Sequence, residues 1–242
     1  MKKIKNYSLV ILLLIIWEIL SDMHIISEFL LPSPYQVILA FIHDFNLLMK
    51  HTYYTLTVAF LGVFIGIVLS FVLALVMDLY QPVYDIFYPV IILTQTIPTI
   101  AIAPLLIIWL GYYMKPKVVL VVLSTFFPIT IALLNGFKAV DKDNINLLRS
   151  MGANTFQMYR YLKIPTSLSY FFSGLKVSMS YSLISAVIAE WLGGYYGLGV
   201  YMTRVKKAFA LDKMFAVIFF ITFLSLLLMS IIDVLEKKIV KN

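Results

Sequence analysis

The stretch Lys138–Ser169, KAVDKDNINLLRSMGANTFQMYRYLKIPTSLS, decides how the chain is read. It is polar and basic, with an uncharged apolar run, Val118–Phe137, before it. Tyr170–Leu192 after it is apolar apart from Lys176 and Glu190. A hydrocarbon core of about 30 Å is crossed by roughly 20 apolar residues as a helix, so the stretch reads as a loop between two membrane spans. Its local signals describe two short helices. Asp141 or Asp143 can cap the first, which runs through Leu147, Leu148 and Met151. Gly152 suits the helix end, where a positive φ is often needed. Asn154 and Gln157 have the spacing of a capping box for the second. Pro165 is expected to interrupt that helix and lead into the next span.

Such an elbow is expected to expose Leu148, Met151, Phe156, Tyr159 and Leu162 among Arg149, Arg160 and Lys163. An apolar knob with a basic rim suits a groove on a soluble partner. It equally suits a loop lying on anionic lipid headgroups.

Outward from the loop, the chain is 242 residues long, 62% hydrophobic and 13% charged. Soluble domains average about 45–50% apolar and about 25% charged, so lipid must cover much of this surface. Further spans are read at Thr52–Met77, Ile86–Met114 (broken by Pro98 and Pro104) and Met214–Ile232. A first span, Tyr7–Ile26, is interrupted by Glu18, Asp22 and His24; no small-x-small cleavage site follows, so it is expected to be retained. The fold class is therefore all-α, a membrane protein of six transmembrane helices. Residues 1–51 hold the first helix and an outer amphipathic segment, Tyr35–Lys50. Residues 52–233 form the core, with the loop 138–169, and 234–242 a tail. A cytoplasmic N-terminus places eleven Lys and Arg inside against seven outside. The net charge of +7 follows these loops and does not point to nucleic acid. Cysteine is absent, and His24, His43 and His51 are expected at the surface rather than on a metal. No G-x-x-x-x-G-K-[ST] phosphate loop, H-E-x-x-H or nucleophile–base set is present, so the chain is expected to be no enzyme and to carry no cofactor.

Two stripes of small residues recur at helical spacing. Ala59, Gly62, Gly66, Ser70 and Ala74 share one face, which predicts a helix–helix seam. Gly174, Ser178, Ser182, Ser185 and Ala189 share another; its serines can line a wet path or bond the carbonyl one turn back. Thr94-Gln95-Thr96-Ile97-Pro98-Thr99 is unusually polar for an apolar helix, and Gln95, Thr96 and Thr99 are candidates to line a pathway. Lys176 and Glu190 project away from the serine stripe and lie too far apart to pair; Lys176 is expected to snorkel, and Glu190 is a further pathway candidate.

The loop resembles the EAA loop of binding-protein-dependent ABC importer permeases. Gly152 holds the motif's glycine, Ala153–Tyr161 supply nine residues, and Leu162-Lys163-Ile164-Pro165 matches I-x-L-P. Asn146-Leu147-Leu148 stands where Glu-Ala-Ala is usual. Leu31-Pro32-Ser33-Pro34, Gln95-Thr96-Ile97-Pro98, Ala103-Pro104, Phe126-Phe127-Pro128-Ile129 and Glu190-Trp191-Leu192-Gly193-Gly194 with Gly197-Leu198-Gly199 resemble the nitrate, sulfonate and taurine branch. The resemblance implies a type I importer bundle in the cell membrane and a permease dimer, with two ABC ATPase subunits that use the ATP and an extracellular solute-binding protein. It implies that Leu148, Gly152, Ala153, Phe156, Leu162, Ile164 and Pro165 dock on the ATPase. The run Gly197–Lys207 looks most like permeases for a thiamine pyrimidine precursor, with sulfonate, taurine or nitrate as alternatives. An ion-coupled secondary transporter is the rival class, but such folds often show internal repeats, and none is visible.

Overall fold

In a computed structural model, residues 2–23, 27 and 30–240 are described, and nearly all of them are helical. The helices are α1 (Lys2–Asp22), α2 (Pro34–His43), α3 (Phe45–Leu79), α4 (Gln81–Gln95), α5 (Thr99–Leu110), α6 (Met114–Lys138), α7 (Lys142–Ser150), α8 (Thr155–Met158), α9 (Ile164–Leu192), α10 (Leu198–Lys207) and α11 (Leu211–Val240). A π turn, Tyr159–Lys163, joins α8 to α9. Among the described residues, four stretches are long and apolar enough to cross a membrane: α3, α6, α8 through α9, and α11.

The third span, expected to be broken by Pro98 and Pro104, is broken at the first of these only. The chain breaks at Thr96–Pro98, and α4 and α5 meet at 100°. Proline lacks the N–H that would continue α4, and its ring disfavours a helical residue before it. The pair still carries the chain across the bundle, because α3 and α6 on either side of it run parallel. Tyr54 near the start of α3 meets Lys117 near the start of α6. With the broken pair counted, five spans are present. In α1 the apolar section is shorter, Ile11–Ser21, and a sixth span built on it fits this arrangement.

Two more boundaries differ. The helix of the span read at Thr52–Met77 begins earlier, at Phe45, since no breaker lies between them. At 35 residues α3 is about 52 Å long, well beyond one hydrocarbon thickness. Pro165 does not end a helix either. It lies in the first turn of α9, and the helix runs unbroken from Thr155 to Leu192.

The core is α6 packed between α3 and α9. The two small-residue stripes make this possible. A Cβ on Gly62 would overlap Val121, and one on Gly66 would sit 2.6 Å from Thr125 Oγ1. A Cβ on Gly174 would strike Ala132 and approach the Pro128 carbonyl to 3.1 Å. Hydroxyls close the same seams: Ser70 donates to the Phe126 carbonyl at 2.7 Å, and Ser178 to the Thr125 carbonyl at 3.0 Å. Without a hydrophobic force between helices in lipid, such close approach and such bonds hold the bundle.

α11 packs on α9, and here Lys176 departs from expectation. It does not simply snorkel: its ammonium pairs with Asp233 at 2.5 Å and Glu236 at 2.6 Å on α11. α2 is fixed by a Ser33–Gln36 capping box and buries Val37 and Ala40 against Ala216 of α11, beside Trp17 of α1. Between α2 and α3, Asp44 accepts bonds from Tyr201 and Lys213, both at 2.8 Å. Burial raises the Asp44 pKa, but the bonds from Lys213, His43 and Tyr201 outweigh it and bring it down to about 2. The stabilisation from this tie is full above the ordinary carboxylate value and is lost only as pH falls through about 2.

Overpacking a close seam destabilises by about 1–3 kcal/mol. Gly174→Val is expected to lower the thermal midpoint of the purified protein accordingly. Ser173→Ala, one residue along on the exposed face, is expected to stay within about 0.5 kcal/mol. Thermal unfolding in detergent checks both.

Candidate coupling elbow and translocation pocket

At one end of the bundle, α7 and α8 form an elbow between α6 and α9. The Asp141 side chain accepts the Asp143 N–H and caps α7. The helix ends in two closing bonds, Gly152 N–H to the Arg149 carbonyl at 2.9 Å and Ala153 N–H to the Leu148 carbonyl at 3.0 Å. Gly152 takes φ +80°, a conformation in which side chains are strained. Asn154 and Gln157 form the reciprocal capping box, with both bonds at 2.8 Å. α7 buries no residue. Leu147, Met151 and Phe156 are exposed by 60%, 74% and 69%, large apolar side chains of the kind that marks an interaction surface. Leu148, Ala153, Leu162 and Ile164 are half-buried, and Pro165 is exposed. Tyr159, expected on the outer face, is instead buried, and its hydroxyl donates to Asp78.

Midway along α6, on an exposed side of the bundle, the break between α4 and α5 opens a pocket of about 390 Å³. Gln95 and Thr99 line it from the break, Ser124 and Phe127 from α6, and Tyr181 and Ser185 from α9. The pocket thus brings Ser185 together with Gln95 and Thr99, which lie far from it in sequence. Its lining holds no charged side chain. Thr96 is exposed beside the break and turns its hydroxyl back to the Leu93 carbonyl at 2.7 Å. Ser178 and Ser182 are buried outside the lining, and Ser182 bonds the Met179 carbonyl at 2.7 Å.

Glu190 lies at the opposite end of the bundle from the elbow, 1% exposed. A carboxylate so deep in a membrane protein must be bonded to persist. Thr55 donates to it at 2.9 Å, and so does the Gly199 N–H. Thr55 in turn accepts the Leu198 N–H at 2.8 Å, and His51 Nδ1 accepts the Gly197 N–H at 3.0 Å. Lys117, also 1% exposed, fills the space beside Gly194. A Cβ on Gly197 would overlap the Glu190 carboxylate, and its φ is +124°. The loop 193–199 therefore folds down over the end of α9, and this cover, not a pathway, is what Glu190 faces. His51 is buried here, not at the surface, between the rings of Tyr196 and Tyr201. His43 bonds Asp44, while His24 lies outside the described residues. Among the described residues no cluster of metal-ligating side chains occurs.

Sequence reading missed Thr55, His51 and Lys117 at this site. The signal was the run of four glycines, Gly193, Gly194, Gly197 and Gly199, directly after Glu190. That density marks a backbone pressed against something, and a buried carboxylate is what it presses on.

Known proteins show the same chain plan. The permease ThiX of Halalkalibacterium halodurans, a formylaminopyrimidine transport permease protein, is 36% identical over 93% of this chain and 90% of its own length. A putative aliphatic sulfonates transport permease, SsuC of Bacillus subtilis, is 25% identical over 98% of this chain and 87% of its own. An inward-facing structure of the MetNI methionine ABC transporter superposes with a TM-score of 0.69 at 18% identity, over 81% of this chain and 97% of that one, so the fold is that of an ABC importer permease. Residues 62–241 match the family model described as the binding-protein-dependent transport system inner membrane component, and the chain belongs to that family of membrane proteins.

Proposed function

We propose that this chain is the permease subunit of an ATP-driven importer, working as a dimer with two ABC ATPase subunits and an extracellular solute-binding protein. The elbow carries the reading: a stiff, capped two-helix unit with exposed Leu147, Met151 and Phe156, projecting beyond the spans that it joins. Apolar residues in that setting suit a groove on a soluble protein. The elbow end is cytoplasmic in this reading, as is the N-terminus, and residues 52–233 are the transporting core. ATP is bound and hydrolysed by the partner subunits. Their approach displaces the elbows, and the bundle rocks about the pocket as rigid elements.

The solute we assign is a small uncharged heteroaromatic of the pyrimidine class. The lining supports this. Gln95 offers donors and an acceptor, Thr99, Ser124 and Ser185 offer hydroxyls, and Phe127 and Tyr181 offer ring faces. A sulfonate or nitrate anion would find no cation in that lining to pair with. The greater similarity to the formylaminopyrimidine permease points the same way. In this reading Thr96 borders the path beside the break, Glu190 fixes the loop that closes the far end of the bundle, and Ser178 and Ser182 are buried along α9 outside the lining.

Two outcomes test the proposal in proteoliposomes containing the whole complex. Gly152→Val forces a branched side chain into a positive φ and is expected to abolish ATPase association and ATP-driven uptake while the permease stays membrane-inserted. Co-purification and uptake check this; normal association and uptake would remove the elbow from the mechanism, and uptake without any ATPase would favour an ion-coupled carrier. Gln95→Ala and Ser185→Ala each remove one hydrogen-bonding group, worth about 0.5–1.5 kcal/mol. Each is expected to raise the KM for labelled formylaminopyrimidine about two- to tenfold, with ATPase association unchanged. Transport of taurine in preference to the pyrimidine would overturn the solute assignment.

A further inference from the structure

Asp78 occupies the last turn of α3, a position that ordinarily disfavours an acid. The carbonyl end of a helix carries partial negative charge, and α3 has no basic residue in that turn. Compensation comes from elsewhere in the chain. The Tyr159 hydroxyl donates to Asp78 Oδ2, and Lys163 Nζ meets the same oxygen at 2.6 Å. These two residues are the first and last of the π turn that roots the elbow in α9. The group is screened from solvent, with side chains 15% exposed for Lys163 and 11% for Asp78. Tyr159 also packs edge-on against Phe137 at the end of α6, with centroids 5.8 Å apart, and Lys163 lies 5.0 Å over the Tyr159 ring. One carboxylate therefore joins the ends of three spans at the point where the elbow enters the bundle.

The elbow has little other attachment. α7 buries nothing, and in α8 only Met158 is buried. Tyr159 and Lys163 thus give a displacement of the elbow a direct path to α3, beside the seams with α6 that hold the bundle along its length. Given the ATPase-docking role proposed above, on which this step rests, we propose that Asp78 is a positioning residue for coupling: it locks α3 to the root of the elbow, so that the ATPase stroke moves α3 together with α9. Charge-assisted bonds suit this role because they are strong and directional when screened from water.

The test uses the assembled transporter in proteoliposomes, with uptake and ATP hydrolysis measured on the same sample. Tyr159→Phe removes one hydroxyl and keeps the ring on Phe137; Asp78→Asn keeps the shape and removes the charge. Each is expected to leave ATPase co-purification and hydrolysis near the unaltered level while solute moved per ATP falls about threefold to tenfold, within the range that coupling mutations span. Asp78→Glu, which retains the carboxylate, is expected to recover most of the loss. Unchanged solute per ATP in both variants would overturn the clamp while leaving the elbow reading intact. Uptake and hydrolysis falling in step, with no rescue by Asp78→Glu, would overturn it too and reduce Asp78 to a structural tie. Loss of ATPase association in Gly152→Val with full coupling in Tyr159→Phe separates failure of the clamp from failure of the elbow.

Discussion

The fold depends on how closely α6 can approach its two neighbours. In lipid the helices gain little from hiding apolar surface, because hydrocarbon surrounds them in any case. What remains is dispersion over matched surfaces, which falls steeply with small gaps, and bonds between polar groups that have no water to turn to. Gly62 and Gly66 bring α3 against Val121 and Thr125, while Gly174 brings α9 against Ala132. At those separations the hydroxyls of Ser70 and Ser178 reach carbonyls of α6 across the seam. The serines thus replace what larger side chains would prevent. α3, α6 and α9 become one block, and each end of that block carries a polar assembly.

The two ends are built differently. At the elbow end, side chains meet through a single carboxylate, Asp78, with the backbone of α7 and α8 left outside. At the other end, backbone N–H groups of Gly197, Leu198 and Gly199 fold onto His51, Thr55 and Glu190. A loop held by its own amides has little freedom to rearrange without leaving buried polar groups unpaired, which costs about 1–3 kcal/mol for each. The compliant element lies between the ends. At Thr96–Pro98 the helical bonding lapses, and Thr96 covers part of the deficit with its own hydroxyl. The pocket opens at this break, where helix ends rather than continuous helix form its wall.

Local signals in the sequence carried the elbow, because caps and positive-φ glycines act within a few residues. Asp141, Gly152 and the Asn154–Gln157 pair all take the conformations that their spacing implies. The stripes were legible for the same reason, since 100° per residue fixes a face without knowledge of the partner. Errors arose wherever a residue's fate was decided by a distant one. Tyr159 has the spacing of an outward residue, but Asp78, 81 positions away, turns it inward. Lys176 resembles a snorkelling lysine until α11 supplies Asp233 and Glu236. His51 resembles a surface histidine until the loop 193–199 covers it. Pocket residues were half legible: Gln95 and Thr99 stand out as polar in an apolar run, whereas Ser185 is distinguished from Ser178 and Ser182 only by where α4 and α5 break.

Pro165 shows how a local rule can be overridden to mechanical effect. Proline inside a helix forfeits one hydrogen bond and presses its ring on the carbonyl four residues back, here that of Tyr161. The π turn meets this difficulty before it arises. Ile164 N–H bonds the carbonyl of Tyr159, five residues back rather than four. The wider turn inserts the extra residue directly ahead of the proline, where an α-register would bring ring and carbonyl into conflict. The helix consequently continues from Thr155 to Leu192 without a hinge. Had Pro165 broken it, the elbow would hang from α9 by a flexible joint, and a push on α8 would be absorbed there. The π turn leaves α8 as the near end of one continuous helical stretch of 38 residues, about 57 Å long, as the proposed coupling role requires.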